Sequence, residues 1–217
     1  HLARNVFHFA GQCGWVFAIG ALSLADVVAL EFTVPVWVAI IAALFLRERL
    51  TVPGIGAIVL GALGVIVIVK PGVGALQPAA ILMLCAAVCY AVAYTTNKVL
   101  TATESPLTIL FYMCAFQLPM ATVLTVSGWV TPMHHQWVWL LVIGGTALTG
   151  HYCMTRAMQV APVGVVMTLD FLRLPVITLI GVWLYAEPFD VAVIMGASLI
   201  LGGNLLNVHA QLARRRY

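Results

Sequence analysis

The sequence predicts an all-α integral membrane protein of about eight transmembrane helices, and three observations carry that prediction. Hydrophobic residues make up 63% of the 217 positions and charged residues only 8%, where a soluble domain carries about a quarter charged. Mean hydropathy is +1.09. Apolar runs near the length of about 20 residues that a hydrocarbon core requires follow one another almost without interruption, leaving no stretch for a soluble domain.

Read between polar or Pro/Gly breaks, the spans fall at 6–24, 27–46, 52–69, 78–97, 107–127, 137–156, 163–185 and 191–208. Their connections are short, as in "SLAD", "RERLTVP" and "AEPFD". Positive loops stay in the cytoplasm, and eight spans put both termini on one side. Arg4, Arg47, Arg49, Lys98, Arg156 and Arg214 to Arg216 fall on that side, with Lys70 opposite. Both ends are therefore expected in the cytoplasm. Trp129, Trp137 and Trp139 flank a loop on the other side and read as an interfacial aromatic belt.

The chain repeats itself. Shifted by 139 residues, "FAGQCGWVFAIGALSLADVVALEF" lies over "LTGHYCMTRAMQVAPVGVVMTLDF" without a gap. Gly11 meets Gly150, Val27 meets Val166, Glu31 meets Asp170, and further on Glu48 meets Glu187 and Gly64 meets Gly203. Pro35 and Pro175 are one residue out of register. The first copy holds three spans within 1–72. The second, within 78–209, holds five, and 210–217 is a basic tail. The simplest account is that two helices are missing from the N-terminus, which opens with His1, and that the parent has two five-helix halves. Five being odd, the halves enter the membrane from opposite sides, giving the inverted repeats found in many secondary transporters.

The segment "ALSLADVVALEFTVPVWVAIIAALFLRERLTVPGIGAIVLGALGVIVIV" resembles the closing half of an EamA domain. It has a Pro early in one helix, an acid closing that helix, and then a Gly-rich helix. "AMQVAPVGVVMTLDFLRLPVITLIGVWLYAEPFDVAVIMGASLILGGNLL" repeats the order, with "AEPF" at the acid motif. The resemblance is to the drug/metabolite transporter superfamily and covers nearly the whole chain. It implies a ten-helix bundle in a bacterial inner membrane, with a central cavity between the halves and transport by alternating access, usually driven by an ion gradient. Within this chain, spans 6–24, 27–46, 78–97, 137–156 and 163–185 would line that cavity.

Three ionisable residues, Glu31, Asp170 and Arg173, sit well inside spans. Asp170 is about 12 Å in from Pro162, Arg173 about 16 Å, and Glu31 about 7 Å in from Asp26 on the far side of the midplane. A charge at the centre of a membrane helix costs about 2.5–3.5 kcal/mol on insertion scales and marks substrate or ion paths. Asp170 and Arg173, spaced i,i+3, share a face and could pair structurally; Arg173 could also meet Glu31. Pro35 and Pro175 on the same helices each remove a backbone hydrogen bond and kink the helix. The functional reading assigns Arg173 to an anionic group of a small-molecule substrate, and Asp170 or Glu31 to a proton or an ammonium. Burial generally favours the neutral form of an acid, which is the basis for coupling to a proton. Gln12 and its repeat partner His151, with Tyr90, Tyr94 and Asn97, are secondary candidates for hydrogen bonding a ligand, and Gln117 is a weaker one. Interhelical hydrogen bonds are the structural alternative for each.

Other classes lack their signatures. There is no phosphate loop for an ATP-driven pump, and no H-E-x-x-H or G-x-S-x-G for an enzyme. No cofactor and no metal are expected, and no basic run with interleaved aromatics indicates nucleic acid. The five cysteines lack C-x-x-C spacing and read as small buried hydrophobes. The glycines of 52–69 and 191–208 allow close helix contact, in the bundle or in a homodimer face. The function expected is secondary transport of a small polar metabolite, an amino-acid-like compound or a drug. A structural or accessory membrane protein, or an inactive transporter fragment, is the competing reading.

Overall fold

The computed structural model describes residues 1–45, 52–69, 77–161, 166, 170, 173–186 and 190–214. Arg47, Glu48, Arg49, Lys70 and Glu187 lie outside them, as do Arg215 and Arg216. Among the described residues no β-strand occurs, and the architecture is a helical bundle.

Helix α1 spans Leu2–Ile19, starting four residues before the predicted span. Asn5 anchors that first turn, because both its backbone N–H and its Nδ2 donate to the His1 carbonyl, at 3.0 and 2.9 Å. The turn after Gly20 leads to Ser23. The Ser23 hydroxyl accepts from the Asp26 N–H at 3.1 Å and so caps α2 (Leu24–Glu31).

Residues 27–46, read as one kinked helix, form two, α2 and α3 (Val34–Phe45). The chain turns at Phe32 and Thr33. Thr33 Oγ1 donates to the Leu30 carbonyl at 2.7 Å and accepts from Trp37 Nε1 at 3.2 Å, which ties the break together. Pro35 stands in the first turn of α3, where its missing N–H would have had no intrahelical partner.

There follow α4 (Val52–Val69), α5 (Pro78–Leu100), α6 (Pro106–Thr125), α7 (Gln136–Val160), α8 (Arg173–Tyr185) and α9 (Val191–Arg214). Pro78 and Pro106 each open a helix, and the Ser105 hydroxyl caps α6 by accepting from the Thr108 N–H at 3.1 Å. Lys98 Nζ donates to the carbonyls of Met158 and Ala161, joining the end of α5 to that of α7. α5, α6, α7 and α9 are long and apolar enough to cross a membrane, and α4 is a shorter apolar helix.

α5 is central, packing against α1, α2, α3 and α7. Around it lie one core with Val27 to Leu30, Met83, Val193 and Ile200, and a second with Tyr90, Tyr94 and Met158. The glycines predicted to permit close contact do so between α4 and α9. A Cβ built on Gly64 would lie 2.5 Å from the Gly196 carbonyl oxygen, and one on Gly203 would lie 3.0 Å from Ala57 Cα. The 139-residue shift maps Gly64 onto Gly203 and Gly196 onto Ala57, so exchanging the halves turns the first contact into the second. This is the signature of an internal two-fold axis.

The five cysteines are free, and four lie exposed on helix surfaces rather than buried. Lipid tails are as apolar as a helix interior, so an apolar run does not distinguish the two settings.

Candidate functional site

A polar cluster occupies the end of the bundle where α1 and α6 begin and α5 and α7 end. Its centre is Arg4 with His8, one turn apart on the buried face of α1 that continues through Gly11, Gly14 and Ala18. Each of the two side chains is 2% exposed. Arg4 Nη1 donates to Asn5 Oδ1 at 2.8 Å, and Asn5 Nδ2 reaches the Tyr112 carbonyl of α6 at 3.4 Å. From α6, Gln117 Nε2 lies 2.9 Å from His8 Nδ1.

Helices α5 and α7 supply the other walls. The Tyr90 ring meets His8 edge-on at 5.6 Å and stacks on Tyr94 at 5.8 Å, nearly parallel. His151 of α7 meets His8 edge-on at 4.9 Å. The Arg4 charge acts on Tyr94, His8 and His151. Next to these, Asn97 Nδ2 donates to Thr155 Oγ1 at 3.3 Å. Gly11 brings α1 this close to α5, since a Cβ there would stand 3.0 Å from Tyr90 Cδ1 and 3.2 Å from the Ala86 carbonyl oxygen.

A second polar point lies farther along α1. Glu31, the last residue of α2, is buried and accepts from Trp15 Nε1 at 2.9 Å. Eleven residues separate Trp15 from Arg4, about 16 Å along the helix. Tyr90, beside His8, and Trp15, beside Glu31, belong with Tyr94 and Trp37 to one packed apolar core that joins the two points.

The structure thus brings together Tyr90, Tyr94, Asn97, Gln117 and His151 from the predicted set. Gln12 is exposed on the flank of α1. Asp170 is half-buried and engaged with a neighbour. Arg173 and Pro175 lie on α8, but both side chains lie outside the described residues. Arg4, Asn5 and His8 stand outside the residues the sequence singles out, where Arg4 reads as a loop charge. The signal was present in "RNVFH", a cation and an imidazole at i,i+4 in register with Gly11.

Comparison with known proteins decides the family. The model of the EamA-like transporter family matches residues 2–70 and 77–208. The chain belongs to the EamA-like transporter family. It is 29% identical over 211 residues to a riboflavin transporter of Brucella anthropi, the match covering 94% of this chain and 74% of that one. To an S-adenosylmethionine uptake transporter of Rickettsia prowazekii it is 21% identical over 211 residues, covering 97% and 72%. A solved crystal structure superposes with a TM-score of 0.69 at 15% identity, covering 95% of this chain and 76% of the other, and so shares the fold. As an EamA-like chain built from long apolar helices, this is an integral membrane protein.

Proposed function

We propose that this chain is a secondary transporter of a small polar metabolite, working by alternating access and coupled to protons. The observation that carries the reading is the polar cluster of buried Arg4 and His8 with half-buried Gln117 and His151, in a chain of a transporter family. Intramembrane polar and charged groups that face a bundle interior generally serve a substrate or ion path.

The substrate class follows from what lines the path. Riboflavin and S-adenosylmethionine, named for two relatives, each join a flat heteroaromatic ring to a polar chain. The wall formed by Tyr90, Tyr94, Trp15 and Trp37 suits such a ring, and the polar points at its two ends suit the polar groups. Glu31 and Asp170, equivalent across the repeat, are the groups assigned to proton exchange, and Arg173 contributes a further positive charge from α8.

Proteoliposomes containing the 217-residue chain, loaded with unlabelled riboflavin or S-adenosylmethionine, test the proposal. The labelled compound is expected to exchange inward by counterflow, and an imposed proton gradient is expected to drive net accumulation that a protonophore abolishes. Absence of both counterflow and accumulation for every metabolite of a flat-ring panel would overturn the carrier reading. Counterflow without any effect of the gradient would overturn the coupling.

A further inference from the structure

Two nitrogens of the Arg4 cluster lack partners. Arg4 Nε and His8 Nε2 are buried and have no hydrogen-bond partner among the described residues. The state of His8 follows from its neighbour. Gln117 Nε2 can only donate, so His8 Nδ1 accepts, and the neutral ring must carry its hydrogen on Nε2. The cluster therefore presents two unsatisfied N–H donors, one of them part of a full positive charge. Among the described residues no carboxylate pairs with Arg4.

A buried guanidinium without a counter-charge is costly, and so is each buried donor without an acceptor. Both costs fall when an oxygen-rich anion enters. Carboxylate and phosphate oxygens match the guanidinium fork geometrically, and the His8 Nε2–H adds a neutral donor. His151 and the Tyr90–Tyr94 stack flank the same point.

We propose that Arg4 and His8, flanked by His151, form an oxyanion subsite that takes a carboxylate or phosphate group of the carried molecule. As a step in transport this subsite rests on the carrier reading above; as a binding site it stands without it. Gln117 positions the subsite by fixing the His8 tautomer.

Three small probes distinguish the chemistry: benzoate, phenyl phosphate and the neutral isostere benzamide. The purified chain in a nonionic detergent, at matched ionic strength, is melted with about 20 mM of each probe. At least one oxyanion is expected to raise Tm by about 2–4 °C over benzamide, and whichever does so names the group. Arg4→Gln is expected to bring that shift down to the benzamide level. Arg156→Gln, at an exposed position of α7, is expected to leave it intact. Equal melting with all three probes, or an oxyanion shift that survives Arg4→Gln, would overturn the subsite. If Arg4→Gln does not fold, His8→Phe removes the Nε2 donor while keeping an aromatic ring, and is expected to halve the shift or more; a full shift there also overturns it. Oxyanion stabilisation in a chain that catalyses no counterflow would sink the carrier reading alone, and counterflow without oxyanion stabilisation would sink the subsite alone.

Discussion

Glu31 is a carboxyl group buried at the end of a broken helix, and its bond from Trp15 Nε1 links α1 to α2. Removing a donor to a buried acceptor while keeping the packing costs about 1–3 kcal/mol. Trp15→Phe is therefore expected to lower stability by that amount, read as an earlier midpoint in a denaturing-detergent titration. Adding Glu31→Ala to Trp15→Phe should cost less than the two single changes sum to, because each removes the Trp15–Glu31 bond; full additivity would show that the bond contributes nothing. At this scale the sequence was partly legible. Glu31 stood out because an acid in an apolar run has few innocuous explanations. Trp15 did not, since nothing in the linear order joins position 15 to position 31. Arg4 was hidden differently, because a basic residue near a chain end looks the same whether it faces headgroups or a bundle interior. Only its register with His8 and Gly11 separates the two.

Between helices, the closest approaches are made at glycine. Gly64 and Gly196 face each other so tightly that a Cβ on either would stand 2.5 or 2.6 Å from the other's carbonyl oxygen. Because the obstacle is backbone, no rotamer change can relieve it. Gly64→Val and Gly196→Val are each expected to destabilise by about 1–3 kcal/mol or more through overpacking, seen as a lower melting temperature in detergent. Gly56, on α4, and Gly144, on α7, meet nothing within 4 Å; changing either to Ala removes backbone freedom from a helix interior and should stabilise by up to about 1 kcal/mol. The repeat supplies a matched pair as well. Gly11 lies against Tyr90 and the Ala86 carbonyl, whereas its counterpart Gly150 meets nothing within 4 Å. In this 217-residue chain Gly11→Val should lower the melting temperature and Gly150→Val should leave it unchanged. The glycine content announced that some helices pack closely, but not which pairs, since small residues permit contact without choosing a partner. In the same way Pro35 marked a disturbance in its span, while the split into α2 and α3 depends on the Thr33 and Trp37 side chains, which only the folded chain aligns.

For the molecule as a whole, the reciprocal contacts between α4 and α9 fix their relative direction. Gly64 lies by Gly196 and Ala57 by Gly203, so the two helices run antiparallel. Their first residues, Val52 and Val191, are equivalent under the repeat and both exposed, yet they stand at opposite ends of the bundle. In a membrane those ends face opposite compartments, which turns the inverted architecture into a labelling experiment. The five native cysteines are first replaced, so that a single thiol reports each position. The positive-inside rule, applied to the arginines at 47 and 49, leads us to expect the start of α4 in the cytoplasm. The Val52→Cys variant is then expected to react with an impermeant maleimide only in inside-out vesicles, and the Val191→Cys variant only in right-side-out cells. The two parts of this expectation fail separately. Reaction of both variants from the same side would contradict an antiparallel α4–α9 pair and with it the inverted repeat. Opposite-sided reaction with the sides exchanged would keep the repeat and reverse the orientation, moving the Arg4 cluster from the cytoplasmic end of the path to the outer one. The charge bias and the fold are independent in this respect, because helix packing has no knowledge of which compartment it faces. The lysines and arginines of the loops carry that information alone.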